Sequence, residues 1–320
     1  MKKIYHCICQ LFFKAEAAET LGFFRIAVSS FALIQLFVLL PDWMAFYGPK
    51  GLLPWEISDA LSTTQTPSLL FVSNLLAPLH ITPDATVYIV TATYLFSLIG
   101  LLAGFKTRLM GIVAWLMHLI INTTGHFTAY GVETFTHIGL FYCALLPVGC
   151  CWSMDARKEP HNIPAYLITL SVRIIQLHLC IMYLACGIEK SMGVQWWNGE
   201  AIWIAMQQDQ FHHLNIDWMA AVPIFPKLLC WSTLAVETLY PITIFWTKTK
   251  KIWLIAIISM HAFIGIFLGL ELFAGLMILL NLAAFGRNCF PNLFTFRFIR
   301  LQAVVSFFKM ANFSKATIHF

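Results

Sequence analysis

PAYLITLSVRIIQLHLCIMYLACGIEK, residues 164–190, is the stretch on which the fold turns. It is longer than the run of about 20 apolar residues that a helix needs to cross the hydrocarbon core of a bilayer. Arg173, Gln176, Cys180, Tyr183, Gly187 and Lys190 recur along it at steps of three and four. That spacing gathers them on one face of an otherwise greasy cylinder. Polar groups are costly against lipid, so this face is predicted to look into protein or water.

The whole chain has the same character. Of its 320 residues, 59% are hydrophobic and 11% charged, with a mean hydropathy of +0.76. Soluble domains carry about twice that share of charge, so an integral membrane protein is expected, with its length taken up by spans and connections as a single membrane domain. The net charge of +5 does not point to nucleic acid, because the basic residues are scattered among apolar segments and gather in short connections. The nine cysteines show no CxxC and no ligand-like spacing, so neither a disulfide framework nor a metal centre is expected. Asp209 with His212 and His213 lacks further well-spaced ligands and is read the same way.

Apolar runs lie near residues 21–40, 85–104, 108–123, 131–149, 164–189, 218–246, 252–269 and 271–286. They predict an all-α polytopic bundle of about eight transmembrane helices. Lysine and arginine cluster at 2, 3 and 14, at 106 and 108, at 157 and 158, at 248–251, and from 287 onward, on every second connection. The alternate connections hold most of the acidic residues. The positive-inside rule then puts both termini in the cytoplasm of a cell-membrane protein. Residues 1–20 read as a retained interfacial segment and 287–320 as a basic cytoplasmic tail. The long outer connections 41–84 and 190–217, rich in Trp, Pro and Gly, suit structures lying against the membrane interface.

Ionisable groups inside apolar runs are site candidates, and here they are Arg25, His118, His137, Arg173, His178, Glu237 and His261. Arg25 and Arg173 need counter-charges, and Glu237 is the mid-membrane carboxylate that could supply one as a structural ion pair. Pro241, four residues beyond Glu237, should kink that helix. Gly265 and Gly269 make a GxxxG spacing suited to close helix contact. His137 lies one turn after Glu133, near enough for the carboxylate to orient or protonate the ring. His118, His178 and His261 have no such sequence neighbour and read as core groups. Two readings fit Lys190. It can be a snorkelling anchor beside the interfacial Trp196 and Trp197, or a partly desolvated amine able to act as a base.

Several stretches together resemble a known family: FFRIAVSSFALIQL (23–36), PDWMAFYGPKGLLP (41–54), YGVETFTHIGLFYCALLPVGCCWSMD (130–155), GIEKSMGVQWWNGEAIWIAMQQDQF (187–211) and VETLYPITIFW (236–246). The chain is similar to the horizontally transferred transmembrane (HTTM) domain family, which includes the membrane portion of vitamin K-dependent gamma-glutamyl carboxylase. The resemblance implies that Lys190 is the base that deprotonates a reduced, vitamin K-like quinone, with His137 assisting as hydrogen-bond donor or acid. Tyr183, Gly187, Trp196, Trp197 and Glu133 are then expected around the substrate. It implies lyase or ligase chemistry at the outer face, on a quinone or another lipophilic substrate, with the quinone as cofactor. A related branch matures a sporulation-delaying toxin, so the alternative is a non-catalytic membrane protein for maturation or export of a small peptide.

Overall fold

The structure, a computed structural model, describes residues 15–61, 66–158, 163–211, 214 and 216–291. Most of the expected interfacial segment, residues 1–14, and of the basic tail, residues 292–320, lies outside the described residues, as do His212 and His213. Among the described residues every regular element is helical. The longer helices are α1 (Ala18–Leu39), α2 (Pro83–Ala103), α3 (Thr107–Thr124), α4 (Val132–Leu145), α5 (Ala165–Ser191), α6 (Ile224–Thr243), α7 (Lys250–Leu268) and α8 (Glu271–Asn281). Each occupies one of the apolar runs.

Among the described residues, five segments are long and apolar enough to cross a membrane: Ala18–Tyr47, Pro83–Ala103, Ala165–Ser191, Lys250–Leu268 and Glu271–Cys289. The other three helices fill their expected runs with shorter or more polar sequence. Helix α4 has 14 residues, short of the 20 or so that a full crossing takes. It stops because Leu146 precedes Pro147, and the proline ring drives the residue before it into extended backbone, here φ −89°, ψ 157°. Helix α2 shows local signals at both ends. Thr82 accepts a hydrogen bond from the Ala85 N–H with Pro83 in the first turn, and Gly104 closes the helix at φ +70°.

Consecutive helices pack as neighbours, α2 on α3, α3 on α4, α5 on α6 and α7 on α8, while α1 runs through the middle against α2, α4, α5 and α8. In lipid, apolar surfaces gain little by meeting one another, so association relies on close packing at small residues and on buried polar contacts. Gly111 provides one such approach, where an added Cβ would lie 2.9 Å from the Cys143 carbonyl oxygen. The expected GxxxG contact is half realised. Gly265 packs on Ala274, but Gly269 adopts φ +66° and ends α7 at the turn into α8.

Buried charge is settled at one end of the bundle. Arg25, fully buried, donates to the carbonyls of Leu101 (2.6 Å), Leu102 (2.5 Å) and Trp152 (2.6 Å). Two of these belong to the last turn of α2, at the negative end of its dipole, and the Leu101 oxygen also accepts the Gly104 N–H at 3.1 Å. Arg173 pairs with Glu16 at 3.0 Å, and Arg287 with Glu19 at 2.6 Å. The sequence reading that joined Arg25 or Arg173 to Glu237 is therefore corrected. The end of α2 and two carboxylates around the start of α1, Glu16 and Glu19, serve as counter-charges, and Glu237 has another partner.

Candidate functional site

The polar face of α5 is buried as expected, with Arg173, Gln176, Cys180, Tyr183 and Gly187 inside the bundle and Lys190 half-buried at its end. Glu189, one residue from Lys190 and so about 100° around the helix, is exposed and turned away. Opposite this face lies α6, and Gly187 sets the distance between the two helices. A Cβ there would meet Thr238 Oγ1 at 2.6 Å and the Thr238 backbone nitrogen at 2.8 Å. Gly187 is thus a packing residue whose missing side chain lets the helices touch.

That approach brings Lys190 to Glu237. The ammonium lies 2.8 Å from Oε2 and 3.2 Å from Oε1. The Glu237 side chain is 7% exposed and that of Lys190 27%. Trp196 places its ring 5.6 Å from Nζ, within cation–π range. Trp197 donates its indole N–H to the Ser191 carbonyl at 2.6 Å and faces outward. It anchors the turn after α5 and does not touch Lys190.

Two turns inward along the same face, Tyr183 enters a buried chain of hydrogen bonds. The Tyr240 hydroxyl donates to Asn281 Oδ1 at 2.6 Å, and Asn281 Nδ2 donates to the Tyr183 oxygen at 2.7 Å. Tyr183 therefore spends its single hydroxyl proton on His261 Nε2, 2.8 Å away. An accepting Nε2 puts the ring proton of His261 on Nδ1, which is buried without a partner. Because Tyr240 is one turn from Glu237 on α6, and Tyr183 shares its face with Lys190, the ion pair caps this chain. Tyr240 and Asn281 were not singled out from the sequence, and His261, first counted among the ionisable candidates, was read as a core group. An asparagine inside an apolar run was the signal available.

His137 belongs to a different cluster. Its Nε2 accepts from the Trp115 indole N–H at 2.9 Å, and its Nδ1 faces His118 Nδ1 at 3.3 Å with the rings stacked. With Nε2 accepting, His137 carries its proton on Nδ1 and gives it to His118, so both nitrogens are engaged. No hydrogen bond, ion pair or ring contact joins His137 to Lys190 or to Glu133. Glu133 instead accepts from Gln35 Nε2 at 3.3 Å and from the Tyr130 N–H at 3.0 Å, in the first turn of α4. Gln35, Trp43, Tyr47, Tyr94, His118 and Glu133 border a cavity of about 20 Å³, room for one water. The buried Oδ1 of Asn122, also on its wall, has no partner.

The three histidines read as lone core groups all have polar partners: His118 with His137, His261 with Tyr183, and His178 with the Tyr142 hydroxyl at 2.5 Å. Helical spacing cannot reveal such pairs, because each forms between two different helices.

With this geometry in place, the comparison that matters is the match of the HTTM domain model to residues 55–288. The chain belongs to the HTTM family. No curated protein and no solved structure matches the chain. The HTTM match spans α2 to α8 and so contains both clusters, the Lys190–Glu237 pair with its buried chain and the His118–His137 stack. What an HTTM helix bundle of this composition offers chemically is an acid–base pair half-open at one end and a polar interior sealed behind it.

Proposed function

We propose that the protein is a carboxylase-like membrane enzyme that takes a proton from a lipid-soluble hydroxy compound at the Lys190–Glu237 pair. The observation that carries this reading is an amine and a carboxylate 2.8 Å apart where α5 and α6 cross, backed by a buried titratable chain. Ionisable groups at such depth are costly and are kept for function. The reading takes all eight longer helices as spans, both termini as cytoplasmic and Lys190 as facing the outer side of a cell membrane, as the connection charges suggest.

A reduced, vitamin K-like quinone fits these residues, since the pair offers a proton acceptor and Trp196 an aromatic face beside it. When bound, such a group supplies an acidic ring hydroxyl and, after deprotonation, reactivity toward oxygen. The chain's own part is the proton. Moving one N–H proton of Lys190 to Glu237 Oε2 leaves a neutral amine beside a neutral acid, with no charge to desolvate. The amine then accepts the substrate's hydroxyl proton and becomes an ammonium again. His137, with both nitrogens engaged, stands outside this unit.

In purified protein under oxygen, wild type should oxidise a reduced quinone or release its epoxide. Lys190→Met and Glu237→Gln should each lower that rate by about 10²- to 10⁴-fold, the range for a lost general base. Wild type inactive across benzo- and naphthoquinols would refute the enzyme reading, and an undiminished Lys190→Met would refute Lys190 as base.

One observation favours a second reading, a non-catalytic partner in the maturation or export of a small peptide. The Lys190 ammonium already has Glu237 and Trp196 around it, as an interfacial anchor would. Deleting the protein should then alter processing or release of a co-expressed peptide, and unaltered processing counts against this role.

A further inference from the structure

A further open space shares no lining residue with either cluster. It is a groove of about 470 Å³ between the start of α3, the turn after α4 and the first turns of α5. Its two ends differ chemically. One is polar, with Arg108 at the rim and Asp155 beside it; the rest is walled by Leu145 from α4 and by Leu167, Leu170 and Ile174 from α5. Those three α5 residues follow the helical repeat on one face and extend for about 10 Å along the helix axis. Leu170 is 54% exposed, so the wall is open to whatever surrounds the bundle.

The charges at the polar end are unequally committed. Asp155 accepts the Lys106 N–H at 2.9 Å, and the N–H and hydroxyl of Thr107 at 2.7 Å each. It is spent on capping α3. Arg108 is exposed and makes no hydrogen bond or ion pair among the described residues. The space therefore has a guanidinium unpaired among the described residues and a strip of aliphatic side chains beside it.

Each feature narrows the occupant. A guanidinium offers paired N–H donors matched to a phosphate. The aliphatic wall asks for a hydrocarbon chain. Free phosphate leaves the wall unmatched, and a neutral lipophile leaves the guanidinium unmatched. Zwitterionic lipid brings a second cation next to Arg108 and Lys106. Basic pockets between membrane helices on the positively charged side suit anionic headgroups. We propose that this groove holds one anionic phospholipid, its phosphate on Arg108 and one acyl chain along Leu167, Leu170 and Ile174. The lipid fills a gap between α3 and α5, helices that are not sequence neighbours, and so acts as a structural wedge.

The test uses the full chain in phosphatidylcholine nanodiscs titrated with phosphatidylglycerol, read by lipid retained in native mass spectrometry and by thermal shift. Wild type should retain one phosphatidylglycerol in preference to phosphatidylcholine and melt higher with it. Arg108→Gln should lower that preference by about tenfold, the effect of losing one charged hydrogen-bonding partner, with melting in pure phosphatidylcholine unchanged. Leu170→Trp, which fills the groove from an exposed position, should reduce retention of both lipids. Equal preference in wild type and Arg108→Gln would overturn the headgroup assignment. Undiminished retention in Leu170→Trp would overturn the acyl position, and an equal thermal shift from inorganic phosphate alone would overturn the lipid itself.

Discussion

Arg25 and Lys190 are both cations carried by apolar helices, and the bundle neutralises them by opposite means. Arg25, fully buried, hydrogen-bonds three backbone carbonyls and forms no ion pair among the described residues. Its guanidinium cannot be deprotonated in a protein, so the arrangement is fixed and structural. Lys190 is part-exposed, meets the carboxylate Glu237, and lies against an aromatic ring. An ammonium facing a carboxylate can exchange its proton. The contrast separates a cation used as a rivet from one placed where chemistry can occur.

The largest expected effect tests the rivet. Arg25→Met removes the charged donor from three carbonyls, of which Leu101 keeps the Gly104 N–H, and the loss should be about 3–5 kcal/mol, the range for breaking a buried charged contact. Arg25→Lys should restore little, because one ammonium cannot reproduce the forked geometry. A thermal melt of Arg25→Met in detergent matching wild type would erase the contrast.

Gly187→Ala comes next. The added methyl group meets the Thr238 backbone at 2.8 Å, and overpacking of this kind costs about 1–3 kcal/mol. The two helices must part, so the melt should fall and the Lys190–Glu237 distance should lengthen. Spin labels on α5 and α6 would report that separation, and an unchanged distance would mean that the crossing is softer than it looks.

The pair itself should contribute less than the rivet. A double-mutant cycle with Lys190→Met and Glu237→Gln should give a coupling of about 1 kcal/mol, because one partner is part-exposed and screened. A coupling as large as the Arg25 effect would make Lys190 a second rivet and weaken the case for chemistry. Trp196→Leu should have the smallest effect, about 0.5–1 kcal/mol for a lost cation–π contact. That change should disappear in a Lys190→Met background.

How much of this was legible beforehand differs by scale. Hydropathy located the long helices because each carries an apolar run, and in five of them the run meets the length a bilayer imposes on a crossing segment. The stripe from Arg173 to Lys190 was legible because side chains three and four apart share a face, and the structure buries that face. Helix ends were not read from the run lengths: the run at 131–149 passes through Pro147, where α4 has already stopped. What periodicity could not reveal was which polar groups meet. Glu237 went to Lys190 and not to an arginine because Gly187 lets α5 and α6 touch, a constraint of backbone distance. Glu133, one turn from His137, turned to Gln35 on α1, while His137 found Trp115 and His118 on α3. Proximity in sequence was the wrong guide for both. Asn281 became a hub because it faces Tyr183 and Tyr240, which belong to two other helices.

The last long helix does not stay regular. After Asn281 it widens into a π-helical turn over Leu282–Gly286 before Arg287, and within that turn the Ala284 carbonyl accepts from Gln176 Nε2 at 2.7 Å. A widened turn of this type holds one residue more than a regular helix would. Shortening this turn by a single residue would tighten the coil and swing everything beyond it by about 100°. Arg287 would lose Glu19 without either residue being altered, so the latch between the first and last long helices depends on a residue count several positions away.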